Sequence, residues 1–82
     1  MNGSINASVN LYEAKKDTCF SIATVPNIGL LNSLGLRVGT RVYIKNRYPL
    51  GGPLLLYVED AFSVAIGKDI ATQIAVKKVE DQ

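Results

Sequence analysis

Histidine and tryptophan are absent from this 82-residue chain, and cysteine occurs once. Without histidine the chain lacks the commonest general base and the commonest metal ligand. Ser-His-Asp and Cys-His nucleophile arrangements are thereby excluded. A lone cysteine, Cys19, can form neither an internal disulfide nor a thiolate cluster. With no evident activating group in the sequence, it reads as a small strand residue that packs like a hydrophobe. No apolar run approaches the roughly 20 residues needed to span a bilayer. The opening, Met1-Asn2-Gly3-Ser4-Ile5-Asn6-Ala7-Ser8, has neither the basic nor the apolar segment of a secretory signal. These absences predict a cytoplasmic protein that is not an enzyme.

Negative charge is missing over half the chain. No Asp or Glu occurs from Thr18 to Val58, whereas Arg37, Arg41, Lys45 and Arg47 all lie there. The net charge of +2 is too small to require a nucleic-acid partner, and none is expected. Glu13, Asp17, Glu59, Asp60, Asp69, Glu80 and Asp81 follow no recognisable metal-ligand spacing, so no metal site is predicted. Glu59 and Asp60 are adjacent and read as turn residues, not as an acid/base pair.

What remains is the composition of one small globular domain, with 48% hydrophobic and 20% charged residues. Residues 1–10 are small and polar and are expected to be loose, leaving residues 11–82 as a single domain. Leu11 and Tyr12 would form a flap over one end of the core. A first strand is expected over Thr18–Val25, with Phe20 and Ile22 on one face. Pro26 ends it, and Asn27 is a plausible N-cap for a helix over Ile28–Leu34. Gly35 then fits the position past a helix end that takes a left-handed backbone, with Leu31 and Leu36 as the apolar pair of a Schellman closure. Arg37-Val38-Gly39-Thr40 fits a type II turn, because Gly39 lies where φ must be positive.

The second strand, Thr40–Arg47, alternates. Val42 and Ile44 would point inward, and Arg41, Tyr43, Lys45 and Arg47 outward. A third strand is expected over Leu54–Glu59, and a fourth over Ala61–Ile66 with Phe62, Val64 and Ile66 inward. Asp69 would cap one helical turn, and a last strand, Ile74–Val79, would complete the sheet. Five short strands at regular spacing, one short helix and one helical turn predict a mainly β fold, a small β-barrel.

Leu34-Gly35-Leu36, then Gly39, alternating Val42 and Ile44, Pro49-Leu50-Gly51-Gly52-Pro53, and Ala65-Ile66-Gly67-Lys68-Asp69-Ile70-Ala71 stand in a specific order. In that order the chain resembles the ferrous iron transport protein A family (FeoA), over roughly Leu11 to Val79. The resemblance implies an SH3-like barrel. It also implies an accessory role in bacterial ferrous iron uptake, with docking on the cytoplasmic side of the membrane-embedded ferrous iron transport protein B. Ferrous iron as a bound metal enters only through this resemblance, and a weak homo-oligomer is compatible with it. Val38 and Gly67 depart from the residues usual in the family, proline and a basic side chain.

Two groups of residues are candidates for partner recognition. Arg41, Tyr43, Lys45 and Arg47 make a basic and aromatic strand face. Pro49, Leu50, Gly51, Gly52 and Pro53 make a loop of restricted shape, since proline biases the preceding residue toward extended backbone. Leu50 would stand at its tip or tuck beneath it. A small nucleic-acid-binding barrel and a metal-sensing domain like that of iron-dependent repressors are the alternatives. The first would use the same strand face as a stacking platform.

Overall fold

A computed structural model describes residues 8–79. Among them, six strands form one antiparallel sheet in the order β1-β6-β2-β3-β4-β5. The strands are β1 (Val9–Asn10), β2 (Cys19–Thr24), β3 (Arg41–Arg47), β4 (Leu54–Val58), β5 (Phe62–Ile66) and β6 (Ala75–Lys78). Two short helices, α1 (Gly29–Ser33) and α2 (Lys68–Ala71), interrupt the strands. The fold is mainly β, and the sheet, with β1 and β5 at its edges, is consistent with an SH3-like barrel.

All five expected strands are present, and β1 is an addition. Val9 and Asn10 pair with Val76 and Ala75, so the ladder begins within the segment expected to be loose. Residues 1–7 of that segment lie outside the described part of the chain. From β1 the chain enters a 3-10 turn, Leu11–Glu13, capped by the Asn10 side chain, which accepts from Glu13 N. Leu11 and Tyr12 are buried there, covering the core as expected.

The core follows the period-two pattern. Phe20 and Ile22 from β2, Val42 and Ile44 from β3, and Leu54, Leu56 and Val58 from β4 are all buried. Leu31 and Leu36 bring the α1 region onto the same cluster. At five residues α1 is too short to persist without that packing.

The helix ends as the residues dictate. Gly35 has φ +81°, its N–H donates to Asn32 O, and Leu36 N–H donates to Leu31 O at 2.9 Å. Those are the two bonds of a Schellman closure, and the apolar pair it unites, Leu31 and Leu36, is buried. Gly39 has φ +92°, and Thr40 N–H donates to Arg37 O, as the type II turn requires. Thr40 adds a tie that sequence reasoning missed. Its buried hydroxyl donates to Gly35 O and accepts from Arg37 N–H, joining the two turns.

Three expectations about element ends need correction. Ile28, not Asn27, is the N-cap of α1, with no side-chain capping bond, because Ile28 already has extended backbone and is drawn onto the core. Gly67, not Asp69, precedes α2, and the Asp69 carboxylate accepts from Ile70 N–H inside the turn. Phe62 alternates with β5 as expected but remains 46% exposed. It pairs with Val58 at the hairpin end of the sheet, beside the turn at Glu59 and Asp60, where little chain is left to cover it.

Candidate functional site

The two groups of candidate residues meet in β3 and the loop that follows it. One irregularity decides how they are arranged. Ile44 pairs with Leu56 and Asn46 with Leu55, so Lys45 is an extra residue in β3. Such a bulge reverses which face the following side chains take. Arg41, Tyr43 and Lys45 lie outward as expected, but Arg47 does not join them. It pairs with Leu54, on the inward side of the sheet. Its guanidinium donates to Tyr12 O from Nε at 2.6 Å and to Ala14 O from Nη2. Arg47 thus binds β3 to the segment after β1.

The outward face is also less uniformly positive than the linear sequence suggests. Glu59 lies next to Arg41. The Glu59 carboxylate accepts from Arg41 N–H at 3.1 Å, and Glu59 N–H donates to Arg41 O. The Tyr43 hydroxyl donates to the Asp17 carboxylate at 3.3 Å. Partial burial, followed by the negative charge of Asp17, raises the Tyr43 phenol above its ordinary value. Tyr43 stacks on Tyr57 with ring centroids 6.3 Å apart, and the Lys45 ammonium lies 5.2 Å from the Tyr57 ring centre. Cys19 borders this face and is exposed, not packed as a small hydrophobe.

The loop from Pro49 to Pro53 has a defined shape. Leu50 and Gly51 both have positive φ, +60° and +73°, and Gly52 N–H donates to Pro49 O across the turn. Tyr48 N–H donates to Pro53 O at its base. Gly52 admits no side chain, since a Cβ there would lie 2.9 Å from Tyr48 Cβ. The Tyr12 hydroxyl donates to Gly52 O at 2.9 Å. Leu50 stands at the tip and is fully exposed. Of the two positions expected for it, the displayed one is found.

Lys68, from α2, was not singled out in the sequence. Its stem lies close to Gly51, and its ammonium is 5.7 Å from the Tyr12 ring centre. Arg47 approaches the same ring, at 5.8 Å. No sequence spacing connects positions 12, 47, 51 and 68, so only the fold could bring them together. A shallow cleft of about 520 Å³ also escaped the sequence reading; it lies elsewhere, beside α1, lined mainly by Val25, Pro26, Ile28, Leu31, Leu36 and Val38.

The model of the FeoA domain matches residues 9–78. The chain belongs to the FeoA family. Among solved structures, this FeoA domain is similar to a crystal structure of an iron uptake regulatory protein (FeoA), at 27% identity and a TM-score of 0.78. The match covers 89% of this chain and 99% of that one. A FeoA-like protein from Clostridium acetobutylicum shares the fold at 22% identity, TM-score 0.75, over 92% of this chain and 91% of that one. A manganese-dependent transcriptional repressor shares it at 16% identity and TM-score 0.80. There the match covers 90% of this chain but 43% of the repressor. A search of curated proteins found no match.

The family invites the question of iron as a bound group. Among the described residues, no three His, Cys, Asp or Glu side chains gather where they could hold a metal ion. Among the described residues the donor set does not fit a resident iron. Nor is any helix of the described residues long and apolar enough to cross a membrane.

Proposed function

We propose that this FeoA domain is a non-catalytic accessory protein of ferrous iron uptake. It acts by binding the cytoplasmic side of the ferrous iron transport protein B as a regulator or assembly factor, and reaches the membrane only through that partner. Recognition runs through the loop Pro49, Leu50, Gly51, Gly52 and Pro53, with Arg41, Tyr43 and Lys45 on the adjoining strand, while Arg47 ties β3 to the segment of Tyr12 and Ala14. The observation that carries this reading is Leu50: a fully exposed leucine held at φ +60° in a hydrogen-bonded turn. A left-handed leucine is strained, its exposure gains nothing in the free protein, and backbone strain of this kind clusters at functional sites. A rigid loop also loses little ordering entropy on docking. The fitting partner offers an apolar socket with acidic groups at its rim.

Nucleic acid fits this surface less well. The carboxylates of Glu59 and Asp17 stand beside Arg41 and Tyr43 and would repel phosphate. A role as a metal-sensing domain lacks a gathered donor set among the described residues.

Binding kinetics against the transporter's cytoplasmic domain test the proposal. Charge reversal at Arg41 and Lys45 should slow association in a salt-dependent way, because rim charges steer encounter. Leu50→Ala should speed release. Wild-type kinetics in both variants would move the site elsewhere.

A further inference from the structure

The geometry points to Tyr12 as a positioning residue that latches the Leu50 loop. This inference rests on the reading that the loop is the recognition element, but its first consequence concerns the free protein. Tyr12 lies 40 residues from Gly52, yet its hydroxyl is the side-chain donor to the Gly52 carbonyl. Gly52 also closes the turn whose tip is Leu50, through its N–H to Pro49 O. Tyr12 is itself held firmly: its carbonyl accepts from Arg47 Nε at 2.6 Å, and its ring lies within 6 Å of both the Arg47 and Lys68 cations. Arg47 reaches it because the bulge at Lys45 turns Arg47 inward. The path from bulge to loop is therefore contiguous: Lys45 bulge, Arg47, Tyr12, Gly52, Leu50.

Why a latch is needed follows from the backbone. Leu50 occupies a left-handed conformation that a leucine avoids in a free peptide. The turn itself contributes the bond from Gly52 N–H to Pro49 O, and the base contributes Tyr48 N–H to Pro53 O. Neither restrains the Gly52 carbonyl. Tyr12 does, and so biases the loop toward the displayed form. A binding-competent form that is only fractionally populated weakens apparent affinity by that fraction. Lys68, near both Gly51 and the Tyr12 ring, packs on the same junction.

Tyr12→Phe tests this, since it deletes the hydroxyl and keeps the buried ring. The intraresidue distance from Leu50 N–H to Hα, short enough for a strong Overhauser contact only at positive φ, reports φ, and amide relaxation at Leu50 and Gly51 reports order, both in the free protein. The expected result is a weakened contact, averaged toward the longer distance of negative φ, and faster loop motion, with the rest of the spectrum retained. Against the transporter's cytoplasmic domain, dissociation should quicken about three- to tenfold, the range for one lost hydrogen bond. The salt dependence of association, set by Arg41 and Lys45, should not change. In the Leu50→Ala background, Tyr12→Phe should have no further effect, because the latch acts only through that side chain. An unchanged Leu50 N–H to Hα contact would overturn the latch. So would a loosened loop that binds with wild-type kinetics, or additive effects of the two substitutions. If the wild-type protein does not bind the transporter domain at all, the functional reading fails, and the free-protein measurements still decide whether Tyr12 orders the loop.

Discussion

Two turn regions of this protein carry left-handed residues and use them oppositely. In the stretch from α1 to β3, the left-handed positions are Gly35 and Gly39. Glycine takes such a backbone at no steric cost. The large side chains beside them, Leu31 and Leu36, go into the core. In the loop from Pro49 to Pro53, the first left-handed residue is Leu50, although glycine follows it directly. Its side chain points to solvent. The first turn converts chain reversal into burial. The second holds a strained apolar side chain outward, where it contributes nothing to the stability of the free domain. Glycine takes a left-handed backbone without strain; leucine there is strained and must be held by its surroundings.

The largest expected effect is at Leu36. Leu36→Ala removes half of the Leu31–Leu36 closure from the core and should destabilise the domain by about 2–5 kcal/mol. Urea unfolding followed by circular dichroism would measure it. A loss near zero would mean that the Schellman pair is not part of the packed core.

Gly35→Val and Gly39→Val come next. A Cβ at either position meets nothing within 4 Å, so the expected cost is torsional, roughly 1–3 kcal/mol each. Thermal melts should show it, and unchanged melting temperatures would refute both turns.

Leu50→Gly should shift stability in the other direction. Relieving a left-handed leucine should stabilise by up to about 1 kcal/mol, net of the entropy that glycine adds to the unfolded chain. The same variant should bind the transporter's cytoplasmic domain more weakly. Stability and binding moving together would contradict the contrast between the two turns.

The smallest effect belongs to the outward face of β3. The Tyr43 phenol is raised above 10.0 in the folded protein, by partial burial first and the Asp17 carboxylate second. A raised value means that the folded state holds this proton more tightly than the unfolded state. Its contribution to stability is present at neutral pH and is lost as pH rises through the folded value. Stability should therefore fall above about pH 10 partly through Tyr43, and Tyr43→Phe should flatten that part of the profile in denaturant titrations.

Much of this molecule was legible locally. Strand periodicity identified the residues of β2 and β3 that form the core, because alternation needs only the neighbours in sequence; β4 is apolar on both faces, and only packing shows that Leu54, Leu56 and Val58 are the buried ones. Gly35 and Gly39 were legible because turn geometry demands positive φ within four or five residues of known landmarks. Loop stiffness around Leu50 was legible from its flanking prolines and paired glycines. Whether Leu50 stands out or tucks under was not, since that depends on what lies beneath the loop.

Tertiary structure decided the rest. The bulge at Lys45 is an extra residue counted against β4, so no reading of β3 alone could tell that Arg47 turns inward. Glu59 and Asp17 reach Arg41 and Tyr43 only because strand pairing and the turns at each end bring distant carboxylates to a span that has none of its own. Tyr12 meets Gly52 across 40 residues of chain. Val9 and Asn10 become a strand only because β6 presents an edge for them to pair with. By itself the sequence determined five of the six strands, the turns at Gly35 and Gly39 and the core faces of β2 and β3, because short-range sterics and hydrophobic period act residue by residue. Which side chains become neighbours in the candidate site was settled by register, and register exists only once the strands have paired.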